Sequence, residues 1–61
     1  MFKVTINTDN AVFGEEYYEK AAEIKRILEK IINDLDLGIV EKAPIIDLNG
    51  NKVGSWELTD D

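Results

Sequence analysis

The chain has 61 residues, of which 44% are hydrophobic and 33% charged, and it contains neither cysteine nor histidine. A domain of this size buries only roughly 60% of the surface that its unfolded chain exposes, and without those two residue types neither disulfides nor the usual zinc-type sites can add stability. Thirteen acidic residues against seven basic ones give a net charge of −6, which disfavours nucleic acid and anionic membranes as direct partners.

The N-terminal segment is the first predicted element. Phe2, Val4 and Ile6 alternate with polar residues, the period-two pattern of a strand buried on one face, over about residues 2–8. The polar run 7–10 then favours a loop that ends near Gly14. The segment is too short and too regular for a signal peptide, and no apolar stretch approaches the roughly 20 residues that span a bilayer, so we expect a cytoplasmic protein.

An amphipathic helix follows over about residues 15–37. Its apolar residues recur at steps of three and four. They are Ala21, Ile24, Leu28, Ile31 and Leu35, with Ile27 and Ile32 widening the stripe. Gly38 suits a left-handed C-terminal cap. A free coiled coil is the alternative, but about three heptads between two strand regions fit a helix on its own sheet better.

Residues 39–58 read as a β-hairpin, because Asn49-Gly50 favours a two-residue turn of type I′. With Leu48 opposite Asn51, Ile46 faces Val53, Ala43 faces Trp56 and Lys42 faces Glu57. Opposite charges and β-branched side chains then lie across from each other, which supports this register. Pro44 lacks the N–H of a ladder, so a bulge or an exposed edge is expected near it.

The predicted fold is therefore a single α+β domain, residues 1–61, of β-α-β-β order, with one helix on one face of a small three-stranded sheet. In the hairpin, Ile46, Leu48 and Val53 point to one side of the sheet. A second set points to the other side: Ile45, Trp56 and Leu58. Since one helix covers only one side, we expect this second set to form an interface with a partner.

A different arrangement of the hairpin is also open. A bulge at Pro44 would turn one apolar set inward and leave only Trp56 partly exposed.

Residues for chemistry are scarce. Without His or Cys the chain has no Ser-His or Cys-His nucleophile pair, and Ser55 is its only serine. Glu15, Glu16, Glu19 and Glu23 fit a solvated helix face better than an acid-base pair in a cleft. We expect no enzyme activity.

The hairpin turn places oxygen ligands at positions 47, 49 and 51, as the first part of an EF-hand loop does. Lys52 and Leu58 stand where that motif needs Gly and Glu, so a turn explains these residues better than calcium. The glycines have no phosphate-loop spacing. No cofactor and no metal are expected.

Two segments together carry a resemblance to known proteins. Residues 2–13, FKVTINTDNAVF, and residues 47–56, DLNGNKVGSW, flank an amphipathic helix. This combination resembles small proteins encoded by phages and prophages, most of which have no assigned function, and the chain is similar to the dimeric anti-Hachiman inhibitors. The resemblance implies a shared fold and a place in the bacterial host cytoplasm. No inhibitory residue carries over.

Two functions follow as hypotheses. The chain is either a stoichiometric inhibitor that binds a bacterial defence protein, or a structural or regulatory homodimer module of a phage or mobile element. A DNA mimic is a weaker form of the first, because Lys20, Lys25, Arg26 and Lys30 interrupt the acidic helix surface.

Overall fold

The predicted β-α-β-β order and α+β class are confirmed by a computed structural model, which describes residues 1–38 and 40–60. The elements are β1 (Phe2–Ile6), a short 3₁₀ helix (Ala11–Phe13), α1 (Tyr17–Leu37), β2 (Lys42–Ile46) and β3 (Lys52–Leu58). Ile39, the first residue of the predicted hairpin, and Asp61 lie outside the described residues.

The sheet has the order β1-β3-β2, and both strand pairs are antiparallel. Met1 and Thr59 exchange two backbone hydrogen bonds, and the N–H of Asn7 donates to the carbonyl of Val53. Hydrogen-bonded pairs alternate along an antiparallel ladder. The backbone N–H and carbonyl groups of the odd-numbered residues of β1 therefore point toward β3. The backbone groups of the even-numbered residues therefore point to the free edge of β1.

The β2 edge follows the same rule. The N–H of Leu58 donates to the carbonyl of Glu41, so by alternation the backbone groups of Lys42 and Pro44 point outward. Pro44 thus occupies a position where its missing N–H costs no bond to β3. The expectation of an edge near Pro44 is met.

Helix α1 begins at Tyr17, where Glu16 is its extended N-cap residue, and ends at Gly38, which adopts the left-handed conformation with φ 66°. The predicted C-terminal cap is confirmed, and the start lies two residues later than predicted. Glycine suits this position because it has no Cβ to clash in that conformation.

The core lies between α1, the 3₁₀ helix, β2 and β3. It consists of Phe13, Ile27, Ile31, Ile45, Val53 and Trp56. Phe13 is fully buried, and the 3₁₀ helix that carries it is capped by Asn10, whose Oδ1 accepts from the N–H of Val12 at 3.1 Å. The sequence pattern places this segment in a loop and misses its contribution to the core.

The hairpin register is correct far from the turn and wrong beside it. Ala43 pairs with Trp56 and Lys42 with Glu57, as predicted, but Ile46 pairs with Lys52. The turn has one residue more than predicted, since the N–H of Asp47 donates to the carbonyl of Asn51 and Gly50 takes φ 87°. A bulge between Ile45 and Ile46 compensates for this shift.

Gly54 follows this bulge on β3. A Cβ at Gly54 would overlap the carbonyl oxygen of Thr5, so the absence of a side chain allows β1 and β3 to approach at this point.

Among the described residues, no helix is long and apolar enough to cross a membrane.

Candidate functional site

The predicted interface residues do not share an exposed face. Ile45 is 4% exposed and Trp56 is 2% exposed, and both belong to the core, whereas Leu58 is 49% exposed. The expectation that Ile45 and Trp56 lie on an uncovered side of the sheet is wrong, because α1 packs on the side to which they point. The bulge then turns Val53 toward the same core, while Ile46 and Leu48 stay exposed.

The outer face of the sheet is polar. In antiparallel pairs, residues directly opposite each other point to the same side, and side chains alternate along each strand. The residues that alternate with the helix-facing set are Lys3, Thr5, Lys42, Pro44, Ile46, Ser55 and Glu57. Apart from Pro44 and Ile46, these strand residues are polar, so the described part of the sheet has no extended second apolar face.

Exposed apolar side chains lie instead on the side of the sheet that carries the helix. Val4 is opposite Trp56 and Phe2 is opposite Leu58, so all four point to the helix side. The ring of Phe2 lies 5.8 Å from that of Trp56, centroid to centroid. Yet Phe2, Val4 and Leu58 are exposed, because α1 covers this end of β1 incompletely.

The exposed apolar flank of α1 faces the same region. The buried line of α1 runs through Ile27 and Ile31. Leu28 and Ile32 each follow a buried residue by one position, and the flank of α1 that they occupy is turned about 100° from the core. Ile32 is 56% exposed.

A contact on the opposite flank of α1 shows which way the exposed apolar flank points. Arg26, one position before Ile27, donates from Nη2 to the carbonyl of Ile46 in β2 at 3.3 Å. The flank with Leu28 and Ile32 therefore points away from β2 and toward β1. A groove along this flank, bordered by Thr8 just after β1, supports this placement.

We name this region the β1–α1 surface. Its members are Phe2, Val4, Leu28, Ile32, Leu35 and Leu58. Sequence reasoning assigns all but Leu58 to the core. The signal that could have found the surface is the width of the helix stripe, because its apolar residues exceed the number that a three-stranded sheet can cover.

The helix and the hairpin turn are joined by a buried carboxylate. Glu23 is 7% exposed. Its Oε1 and Oε2 accept from Nε and Nη2 of Arg26 at 2.7 and 2.9 Å, and Oε2 also accepts from the N–H of Leu48 at 3.1 Å. The expectation of a solvated Glu23 is therefore wrong.

These contacts change the acidity of Glu23. The hydrogen bond from Arg26 lowers the pKa of Glu23 below 4.5, against the opposing effect of burial, and the N–H of Leu48 lowers this pKa further. Glu23 is thus held ionised by satisfied donors, which indicates a structural role.

Asp47, the candidate calcium ligand, is also buried. Its Oδ1 accepts from the N–H groups of Asn49 and Asn51 at 2.9 and 2.8 Å. This carboxylate is occupied by the turn itself. Within residues 1–38 and 40–60, no group of three or more acidic side chains is placed to hold a metal ion.

Comparisons with known proteins find no relative of the chain. No protein-family model matches it, and no curated protein or solved structure matches it. Its class is thus defined by the fold alone: an α+β domain with one helix on a three-stranded antiparallel sheet.

Proposed function

We propose that this protein acts without catalysis, by binding another protein through the β1–α1 surface. The proposal is carried by the six apolar side chains of this surface, each at least a third exposed, which lie on the helix side of β1 and β3 and on the flank of α1 opposite the Arg26 contact with β2. Contiguous apolar patches beyond a few hundred Å² on small soluble domains typically mark interaction sites.

The charge of the chain supports a protein as the partner. A net charge of −6 repels phosphate backbones and anionic headgroups. An apolar patch within an acidic surface instead suits a protein that offers an apolar patch with basic residues around it.

The resemblance to phage and prophage proteins gives this binding activity a biological form. Under it, the chain is a stoichiometric inhibitor of a bacterial anti-phage defence protein in the host cytoplasm. The small size, the acidity and the β1–α1 surface support such a role, since an inhibitor of this kind needs a contact surface and no reactive group.

The test compares two helix variants that introduce the same charge. Ile32→Asp places a carboxylate in the β1–α1 surface, and Ala22→Asp places one on an exposed part of α1 outside it. Both variants are expected to remain folded by circular dichroism. In saturation binding to bacterial lysate and in a phage infection assay, we expect Ile32→Asp to abolish capture and phage protection, and Ala22→Asp to retain both.

Equal behaviour of the two variants would show that the β1–α1 surface is not the contact. Absence of saturable binding and of phage protection with the unmodified chain would count against the inhibitor role.

The second candidate function, a homodimeric structural or regulatory module, is favoured by a separate observation. The free edge of β1 carries no proline, whereas that of β2 carries Pro44.

A further inference from the structure

We propose that the foreign protein on the β1–α1 surface binds through one basic amphipathic α-helix, which lies beside α1 and over the helix side of β1. This inference rests on the proposed function, because it requires the surface to bind a different protein. The segment that binds then has a defined secondary structure, length and charge.

One helix is too narrow to cover the three strands of this sheet. Neighbouring strands lie about 4.8 Å apart, and an α-helix with its side chains is about 10 to 12 Å wide, so one helix covers about two strands. The buried residues of α1 share the core with Ile45 of β2 and Trp56 of β3. The helix side of β1 is therefore left open, and Phe2 and Val4 are exposed there.

Helix α1 runs antiparallel to β1. In its first half, Nζ of Lys20 donates to the carbonyl of Thr8, just after β1, at 3.3 Å. Arg26 contacts the end of β2, and β2 runs in the same direction as β1 because each is antiparallel to β3. The last turns of α1 therefore lie beside the start of β1, where Phe2 and Val4 are.

The flank of α1 that faces this opening carries a continuous apolar seam. Its residues recur at steps of three and four, which keeps them on one side of the helix. All are exposed or half-buried: Tyr17, Ala21, Ile24, Leu28, Ile32 and Leu35. The first five of them line one groove. The seam is about 27 Å long, which suits a partner helix of about five turns.

A helix fits this opening better than a strand does. A strand paired with β1 would lie in the plane of the sheet, below the layer of α1, and would leave the seam near Tyr17 and Ala21 uncovered. A second helix, with its axis roughly 8 to 10 Å from that of α1, would contact the whole seam. It would also rest on Phe2 and Val4, and so complete the layer that α1 begins.

The solvent-facing rim of the seam is acidic in its C-terminal half. Glu29 and Asp36 each follow a leucine of the seam by one position, so they lie about 100° further from the core around α1. Both are exposed, and neither forms an ion pair within the part of the chain that the structure describes. Lys25 offsets one of these charges, and the rim stays negative. Lysine or arginine beside the apolar stripe of the partner helix would pair with this rim, as flanking residues do in coiled coils.

Designed peptides test the secondary structure of the bound segment. The helical probe is a peptide of about 18 residues, with leucine at steps of three and four and lysine beside this stripe. Its control has the same composition in an order that spreads leucine around the helix. By fluorescence anisotropy, the labelled helical probe should bind at least about tenfold more tightly than the control. Circular dichroism of the mixture should show the probe bound as a helix.

Two pairs of variants test where the helical probe lies. Ile32→Asp should weaken its binding at least about tenfold, because a carboxylate would then lie in the seam, whereas Ala22→Asp should not weaken it. Val4→Lys places a charge on the helix side of β1, and Thr5→Lys places the same charge on the outer face. Of these two, only Val4→Lys should weaken binding. Equal effects within either pair, in variants that circular dichroism shows to be folded, would overturn the inference.

The charge of the rim is tested with a second helical probe that has glutamate in place of lysine. Glu29→Gln with Asp36→Asn should reduce the preference for the lysine probe about fivefold, since it removes two ion pairs. Glu41→Gln with Glu57→Gln removes the same charge from exposed positions of the hairpin region and should change this preference less. An equal change would overturn the pairing of the partner helix with the rim.

Other occupants of the surface would give different results. A peptide of alternating valine and lysine tests a strand at the free edge of β1. Tighter binding of this peptide than of the helical probe, lost with Val4→Pro, would overturn the helix. A chain that is dimeric by light scattering and binds no peptide would also overturn it, because a second copy would then cover the surface.

The results for the helix and for the proposed function are separable. Lysate binding that is lost with Ile32→Asp, with equal affinities for the helical probe and its control, would support a protein on the β1–α1 surface and overturn the helix. Binding of the helical probe that depends on Ile32, in a chain whose lysate binding does not, would overturn the proposed function and support the preference of the surface for a helix.

Discussion

At the scale of single residues, the buried carboxylate of Glu23 has the clearest energetic role. It binds Arg26 within α1 and the N–H of Leu48 in the hairpin turn, and so links parts of the chain that are 25 residues apart. Sequence reasoning could not find this contact, because Glu23 shares its pattern with solvated glutamates on the same helix. Its burial depends on where the turn lies in three dimensions.

Replacing Glu23 with Gln should lower the free energy of unfolding by about 1 to 3 kcal/mol at pH 7, since hydrogen bonds to charged groups contribute in that range. The variant keeps the size of the side chain but loses the charge that pairs with Arg26. Urea unfolding followed by Trp56 fluorescence measures the difference, and Glu29→Gln, at an exposed position of α1, is the control.

The stabilising effect of Glu23 should also depend on pH, and the same variant tests this. Because folding lowers the pKa of Glu23, its stabilising effect is complete above its ordinary pKa of 4.5 and is lost as the pH falls through the lowered folded value. The stabilities of the original chain and of Glu23→Gln should therefore converge below that value. A constant difference down to pH 2 would contradict this assignment.

At the scale of elements, the sequence pattern predicts β1, α1, β2 and β3, but it misses the 3₁₀ helix and predicts only in part which residues of α1 are buried. The apolar stripe of α1 is wide: of its predicted line, Ala21, Leu28 and Leu35 are exposed, whereas Ile31 belongs to the core and Ile24 packs against it. The true core line runs through Ile27 and Ile31. A pattern identifies which residues are apolar, while the limited width of the sheet decides which of them are covered.

Two neighbouring isoleucines test this orientation. Ile31→Ala should lower the free energy of unfolding by about 2 to 4 kcal/mol, because it leaves a cavity in the core. Ile32→Ala removes the same atoms from an exposed position and should cost less than about 1 kcal/mol in the monomer. Thermal unfolding of both variants at low protein concentration measures the two losses of stability. Equal losses would show that the helix orientation is wrong.

The hairpin shows a similar limit. The Asn49-Gly50 signal locates the turn correctly, and the pairs Ala43–Trp56 and Lys42–Glu57 follow. The one-residue difference in loop length arises because the carboxylate of Asp47 accepts hydrogen bonds from two N–H groups within the turn. That shift and the bulge together decide which apolar residues reach the core, and composition alone reveals neither.

At the scale of the whole molecule, the small size of the domain predicts that some apolar surface stays uncovered, but this surface lies in a different place from the one expected. A small domain with many apolar residues leaves some of them uncovered. The sequence pattern predicts this remainder on the far side of the sheet, at Ile45, Trp56 and Leu58. The structure places it between β1 and α1, and of those three residues only Leu58 belongs to it.

Net charge gives a prediction for association between copies. Two chains of charge −6 repel each other, and added salt screens that repulsion. Raising NaCl from about 0.05 M to about 0.5 M should strengthen the homodimer of the second candidate function severalfold, since the Debye length falls below the distance between the charged surfaces. Sedimentation equilibrium measures this change, and weaker association at high salt would indicate a contact held by ion pairs.

The central position of β3 also has a consequence for the order in which the sheet assembles. β2 reaches β3 through a turn of a few residues, whereas β1 pairs with β3 across most of the chain, as the bonds between Met1 and Thr59 show. Closing the long loop costs more entropy than closing the short one. We therefore expect β1 to dock last during folding and to detach first during local opening, so its amides should exchange hydrogen faster than those of the hairpin.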